Sequence, residues 1–441
     1  MLKFLALGAA LLASPALAQD AAPQQVVQAP TTQGTPTVMV PPLTTPKVEQ
    51  TAGGPTNSLG LQVAEVIAAD LRSTGAVMAI GPAKVRVYSY PEVTGPLFSA
   101  WRSLGAKSLV TGFVQARQDG RLTIACYVYD VPSGRELARK GFVVPVDGWR
   151  RGAHRCADAI YTGLTKKPGQ FDTRIVYVAE SGPAWERIKR LAVMDADGSN
   201  HQYLTAGTST AIAPSISPAG DRIVYTSFFN RQPQLRVVDV ATGAEQPLVA
   251  LPGMTFGPAF APDGQRIAFS MAMNGNTDLF VVDGAGGMLQ RLTLSPGTDT
   301  GASFSPDGKR IVFESDRSGT AQIYVMNADG SGQRRISFGG ASYGAPSWSP
   351  DGDMILFRRT DPRGSGIGVM TATGSDERML TTNLLDDGPA WAPSGQMAIF
   401  YRPDPVAGRS ALLTVPLSGG EPRPMQTPQD GSDPSWSAVQ Q

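Results

Sequence analysis

Five prolines recur in the second part of this chain at nearly constant spacing. Pro218, Pro262, Pro306, Pro350 and Pro393 are separated by 44, 44, 44 and 43 residues. Each sits in a turn such as Ser305-Pro306-Asp307-Gly308, and a β-rich run follows each turn, at 222–226, 266–270, 310–314, 354–358 and 397–401. A loop, a second run such as 322–326, a glycine turn such as 327–330 and a short last strand complete the unit. Four short strands in roughly 40–45 residues is the period of a β-propeller blade. A blade carrying Ile311-Val312-Phe313 is apolar on both faces, and radial stacking buries both while leaving only short edges.

Small residues open the innermost strands, where blades crowd at the ring axis: Ser215, Ala259, Ser303, Ser347, Ala390 and Ser435. They count six blades. The first run, 173–178, has no innermost strand before it. The missing piece stands at the far end, where Pro434-Ser435-Trp436-Ser437 repeats Pro346-Ser347-Trp348-Ser349. The C-terminal strand is therefore expected to complete blade one and close the ring.

Ahead of the repeats, residues 1–18 read as a secretory leader. Lys3 is followed by an apolar run and by Ala16-Leu17-Ala18 as a small-residue cleavage site. The run is too short to span a bilayer, so no direct membrane insertion is expected. Removing this leader takes one positive charge from a formal net charge of +1. A balanced mature chain does not have the basic excess of a nucleic-acid binder. Residues 19–36, rich in Ala, Pro, Gln and Thr without periodicity, are expected to form a disordered arm.

Residues 37–168 read as an α/β domain. Asn57 and Ser58 are candidate N-caps for a helix with Leu59, Val63, Val66, Ile67 and Leu71 on one stripe. A second helix is expected over 96–104, strands over 108–114, 122–129 and 136–144, and a last helix capped by Asp147. Cys126 and Cys156 both fall on apolar faces. An exported chain permits a bridge between them, and two buried thiols fit the pattern equally. The propeller is expected to occupy 169–441.

The search for chemistry returns little. Gly340-Ala341-Ser342-Tyr343-Gly344 fits a nucleophile elbow, but a blade strand rather than a helix follows it, and His154 and His201 both precede Ser342. Asp195-Ala196-Asp197-Gly198-Ser199-Asn200 starts like a calcium loop but lacks the closing Glu, and reads as a hairpin turn. Two His and two Cys spread over two domains offer no zinc spacing. No cofactor, no metal and no enzymatic activity are expected. A propeller hydrolase using its channel, or a small-ligand sensor, are the alternative readings.

With the leader, the α/β domain and the repeats in place, the chain resembles the TolB family, the periplasmic components of the Tol–Pal system. The likeness rests on 66–75 (VIAADLRSTG), 100–111 (AWRSLGAKSLVT), 149–165 and above all 171–191 (FDTRIVYVAESGPAWERIKRL), with the SPDG turns and 325–330 (VMNADG). The resemblance implies a monomeric, non-enzymatic scaffold that binds the Pal lipoprotein on one propeller face and TolA through its mature N-terminus. It implies a role in outer-membrane integrity and in constriction at cell division. It places the Pal site on the loops 205–214, 251–258, 295–302, 338–346, 382–389 and 427–434. Met254, Gly257 and Thr300 fall on positions the family uses, with Met254 where the family carries His. Phe256, Asp299, Tyr343, Asp386 and Asp387 join the candidates as exposed-loop aromatics and acids on the same rim. The arm 19–36 does not look like the family's short TolA-binding segment.

Overall fold

The computed structural model describes residues 35–229, 232–248, 251, 253–284, 287–382 and 385–439. The expected leader and nearly all of the arm lie outside the described residues.

The N-terminal domain is a five-stranded sheet with helices on both faces. Its strands are β1 (Thr37–Met39), β2 (Met78–Ile80), β3 (Ser108–Ala116), β4 (Arg121–Asp130) and β5 (Glu136–Pro145), in spatial order β2-β1-β3-β4-β5. β1 runs parallel to both neighbours, whereas β3, β4 and β5 form an antiparallel meander. Helices α1 (Thr56–Ser73) and α3 (Trp149–Thr165) cover one face through Leu59, Val63, Ile67, Ala153 and Ile160. Helix α2 (Phe98–Ser103) and its flanking loops cover the other, with Trp101 fully buried against Leu109 and Val131. Cys126 of β4 and Cys156 of α3 form a disulfide that ties the sheet to the helix.

The expected helix caps are not used. Pro55 precedes α1 and Gly148 precedes α3, neither helix having a side-chain cap, so Asn57, Ser58 and Asp147 do not serve. At α1 the entry is held instead by buried Thr56, whose Oγ1 accepts from the Glu49 amide and donates to the Lys47 carbonyl.

After Phe171 the described strands form six four-stranded sheets. Blade one combines Arg174–Ser181, Ile188–Asp195 and Gln202–Tyr203 with the C-terminal strand Asp430–Trp436 as its innermost member. The closure read from the repeats is present. Each neighbouring pair of blades shares a core. Ile311 and Phe313 of blade four pack with Ala268 and Leu279 of blade three, while Val312, pointing the other way, packs with Ile355 and Phe357 of blade five. The same two-against-one alternation runs round the ring to Ile399 of blade six against Ile175 and Tyr177 of blade one. Burying each of these large side chains contributes about 1.5–3 kcal/mol, and among the described residues the circular arrangement gives both faces of every blade a neighbour to pack on.

Candidate partner-binding face of the propeller

Antiparallel strands give the ring two unlike ends. The loops into each innermost strand and the hairpins between second and third strands lie at one end. The proline turns and the third-to-fourth turns lie at the other. The N-terminal domain rests on this second end, against blades six and one. Lys167 Nζ donates to Gln396 Oε1 at 2.8 Å, Arg423 Nη1 donates to the Ser73 carbonyl at 3.3 Å, and Arg150 pairs with Asp197. Among the described residues, none of the N-terminal domain covers the first end, called the free end below.

All eight candidate residues lie on that free end, at the start of innermost strands. Met254, Phe256 and Gly257 belong to Met254–Phe260 of blade three. Asp299 and Thr300 open Asp299–Phe304 of blade four, Tyr343 lies in Ser342–Trp348 of blade five, and Asp386-Asp387 lead into blade six. In every blade the innermost strand carries a bulge with one left-handed residue: Ala213, Gly257, Gly301, Ala345, Gly388 and Asp433. The bulge interrupts the ladder with the second strand and bends the innermost strand there. At Gly257, with φ +59°, a side chain would be strained although space is open around it.

The structure corrects the expectation of exposure for three of the eight. Asp299 is fully buried and takes both oxygens to Arg317 Nη2, at 2.9 and 2.8 Å. Asp386 is likewise buried, accepting from Arg402 Nε at 2.6 Å and Nη2 at 3.0 Å. Tyr343 lies on Phe357 with its hydroxyl between the carboxylate oxygens of Glu377; burial first and Glu377 second push its pKa up to about 12. These three shape the rim from beneath. Phe256, Thr300 and Asp387 are half-buried, Asp387 being held by Arg358 at 2.8 Å, and Met254 stands 55% exposed.

Two further rim residues were missed in the sequence. Trp185 is 87% exposed at the hairpin of blade one, and Val406 is 97% exposed at that of blade six. Arg187 and Arg409, at the bases of those hairpins, both pair with Asp430, which sets the two tips side by side at the ring closure. A tryptophan directly after Gly182-Pro183-Ala184 was the available signal, because a turn tip offers it no core. With Ile188, Phe228, Met254, Leu294, Phe338 and Leu385 they make eight of the twelve large exposed apolar side chains among the described propeller residues, all eight on the free end.

Toward the axis the chemistry changes sign and size. Ser215, Ala259, Ser303, Ser347 and Ser435 line a cavity of about 410 Å³. Glu314 and Asp433 carry pKa values raised by burial, and each also feels the charge of Asp387. Ser342 opens a blade strand rather than an elbow. Asp195–Asn200 forms the expected hairpin turn, with Gly198 at φ +84°. Among the described residues, Asp70, His154 and Asp197 are the one set with metal-type donors in reach of each other. Asp70 and Asp197 flank opposite nitrogens of the imidazole and Arg150 occupies Asp197, so the set does not converge on an ion.

A two-domain chain is thus defined, an α/β domain seated on one end of a closed six-bladed propeller whose other end the described residues of that domain leave uncovered. The profile described as the TolB beta propeller domain matches residues 161–440, and that of the TolB amino-terminal domain matches 33–137. The chain belongs to the TolB family. It is 46% identical over 229 residues to the Tol-Pal system protein TolB of Sphingopyxis alaskensis, covering 50% of each chain. It is 48% identical over 198 residues to that of Zymomonas mobilis, covering 45% of this chain and 43% of the other. These alignments span about half the length of the relatives. The crystal structure of TolB from Acinetobacter baumannii superimposes with a TM-score of 0.74 at 25% identity, over 92% of this chain and 97% of that one.

Proposed function

We propose that this chain is a periplasmic, monomeric, non-enzymatic scaffold of the Tol–Pal system that binds Pal on the free end of its propeller and TolA through its N-terminal region. In this reading residues 1–18 are a cleaved leader, 19–36 a recognition arm, 37–168 the α/β domain and 169–441 the propeller. The observation that carries it is the division of labour between the two ends. One end is covered by the N-terminal domain; the other concentrates Trp185, Met254, Leu294, Phe338 and Val406 in solvent, as a partner surface would. Met254, Gly257 and Thr300 belong to this contact. Phe256 and Asp387 stand beside them, and Asp299, Tyr343 and Asp386 hold the rim in shape.

The reading needs no cofactor and no nucleic acid. It fits a chain in which no helix of the described residues is long and apolar enough to cross a membrane. By linking Pal and TolA it supports outer-membrane integrity and constriction during division. Titration of the purified chain with soluble Pal and with TolA tests it. A chain lacking residues 19–36 is expected to keep Pal and lose most TolA affinity; unaltered TolA affinity rejects the arm's role.

A further inference from the structure

One imidazole stands where the charges of the two domains meet. His154 of α3 is 2% exposed, and its Nδ1 lies 2.7 Å from Asp70 Oδ2 of α1. Its Nε2 has no hydrogen-bond partner and faces Asp197 Oδ2, in the blade-one turn, at 3.7 Å. Arg150 shares Asp197 from the α3 side, and Asp195 belongs to the same turn. Asp172, on the segment entering the propeller, takes Arg151 and Arg155 of α3, while Asp158 of α3 accepts the Phe171 and Asp172 amides.

We propose that protonated His154 is a latch between the domains, its two N–H groups held by Asp70 of the α/β domain and Asp197 of the propeller, so that loss of the proton loosens the blade-one turn from α3. An unpartnered, buried Nε2 is costly unless it carries a proton toward a carboxylate. Burial by itself lowers the pKa of this imidazole, but the hydrogen bond and charge of Asp70, then the charges of Asp197 and Asp195, overcome it and bring it up to about 9. Asp197 is held low: burial alone raises it, and His154, the Ser199 amide and Arg150 outweigh that. At Asp70 burial raises the pKa while the hydrogen bond and charge of His154 pull it back, so the two groups are coupled across the 2.7 Å contact.

Because the pKa in the closed protein lies above the ordinary 6.5, the contact is fully stabilised below about pH 6.5 and weakens as pH rises through about 9. Asp158, raised by burial to about 6, titrates below that window.

The chain has two histidines, so histidine-selective NMR on the full-length protein reads the latch directly. His154 is expected to titrate near pH 9, and about one unit lower in Asp197→Asn, which keeps the turn's backbone hydrogen bonds. Each unit that Asp197 supplies makes the open form about tenfold more populated on going from pH 6.5 to 9. Limited proteolysis of the 166–170 linker should follow that rise in the wild type and be flat in His154→Gln. Titration near 6.5, an unchanged midpoint in Asp197→Asn, or equal pH dependence of cleavage in His154→Gln would each overturn the proposal.

Discussion

Arg174 and Ser437 close the propeller with a reciprocal pair of hydrogen bonds. The Arg174 amide donates to Ser437 Oγ at 2.9 Å, and the Ser437 amide donates to the Arg174 carbonyl at 2.8 Å, across 263 residues of sequence. Trp436 Nε1 adds a bond to Thr173 Oγ1 at 2.8 Å, and the strand between pairs with Arg174–Ser181. First and last strands of the propeller are therefore one sheet.

Removing residues 434–441 should open this seam. It deletes the Pro434–Trp436 half of blade one's innermost strand, with its pairing to Ile175 and Val176, and uncovers Ile175, Tyr177 and Ile399, which share a core with Trp436. A loss of several kcal/mol is expected, or a melting temperature lower by roughly 10 °C, with aggregation through the unpaired edge. Calorimetry checks it, and an unchanged melting temperature would show that the closure carries no stability.

The buried acids on the rim predict a contrast. Asp386→Ala leaves Arg402 without its carboxylate in a covered site, and Asp299→Ala does the same to Arg317. Each should cost about 3–5 kcal/mol of propeller stability. A charge on an exposed loop would cost under about 1 kcal/mol. Urea unfolding separates the two, and a midpoint shift within error for both variants would return these acids to the surface.

The disulfide predicts a local effect. Cys126 and Cys156 are 30 residues apart and join β4 to α3 within the N-terminal core. Replacing both by alanine should lower the stability of that domain by about 2–4 kcal/mol and leave the propeller transition in place. Two-domain melting profiles test this; a shift confined to the propeller transition would contradict it.

What the sequence revealed and what it hid divide along a physical line. The repeat, the six small residues at the axis and the Pro434–Ser437 echo are local patterns set by chain spacing, and the closed ring follows from them. Asp299, Tyr343 and Asp386 stand in segments that read as loops, yet Arg317 from the hairpin turn of blade four, Glu377 from the segment before the last strand of blade five and Arg402 from the second strand of blade six reach them. Only the stacking of strands decides that burial. His154 has its partners 84 residues before it and in another domain, so no spacing rule marks the cluster. Trp185 was visible as a residue but not as a rim position, because the hairpin of Val406, linked to its own through Asp430, belongs to the last blade in sequence.

The measurement closest to the central claim is titration of soluble Pal into the wild-type chain and into Trp185→Ala and Met254→Glu. Both side chains are exposed, so neither change should move the melting temperature. Each should weaken Pal binding by about tenfold or more if the free end is the partner surface. Wild-type affinity in both variants, with binding lost instead in Lys167→Glu at the covered end, would contradict the account.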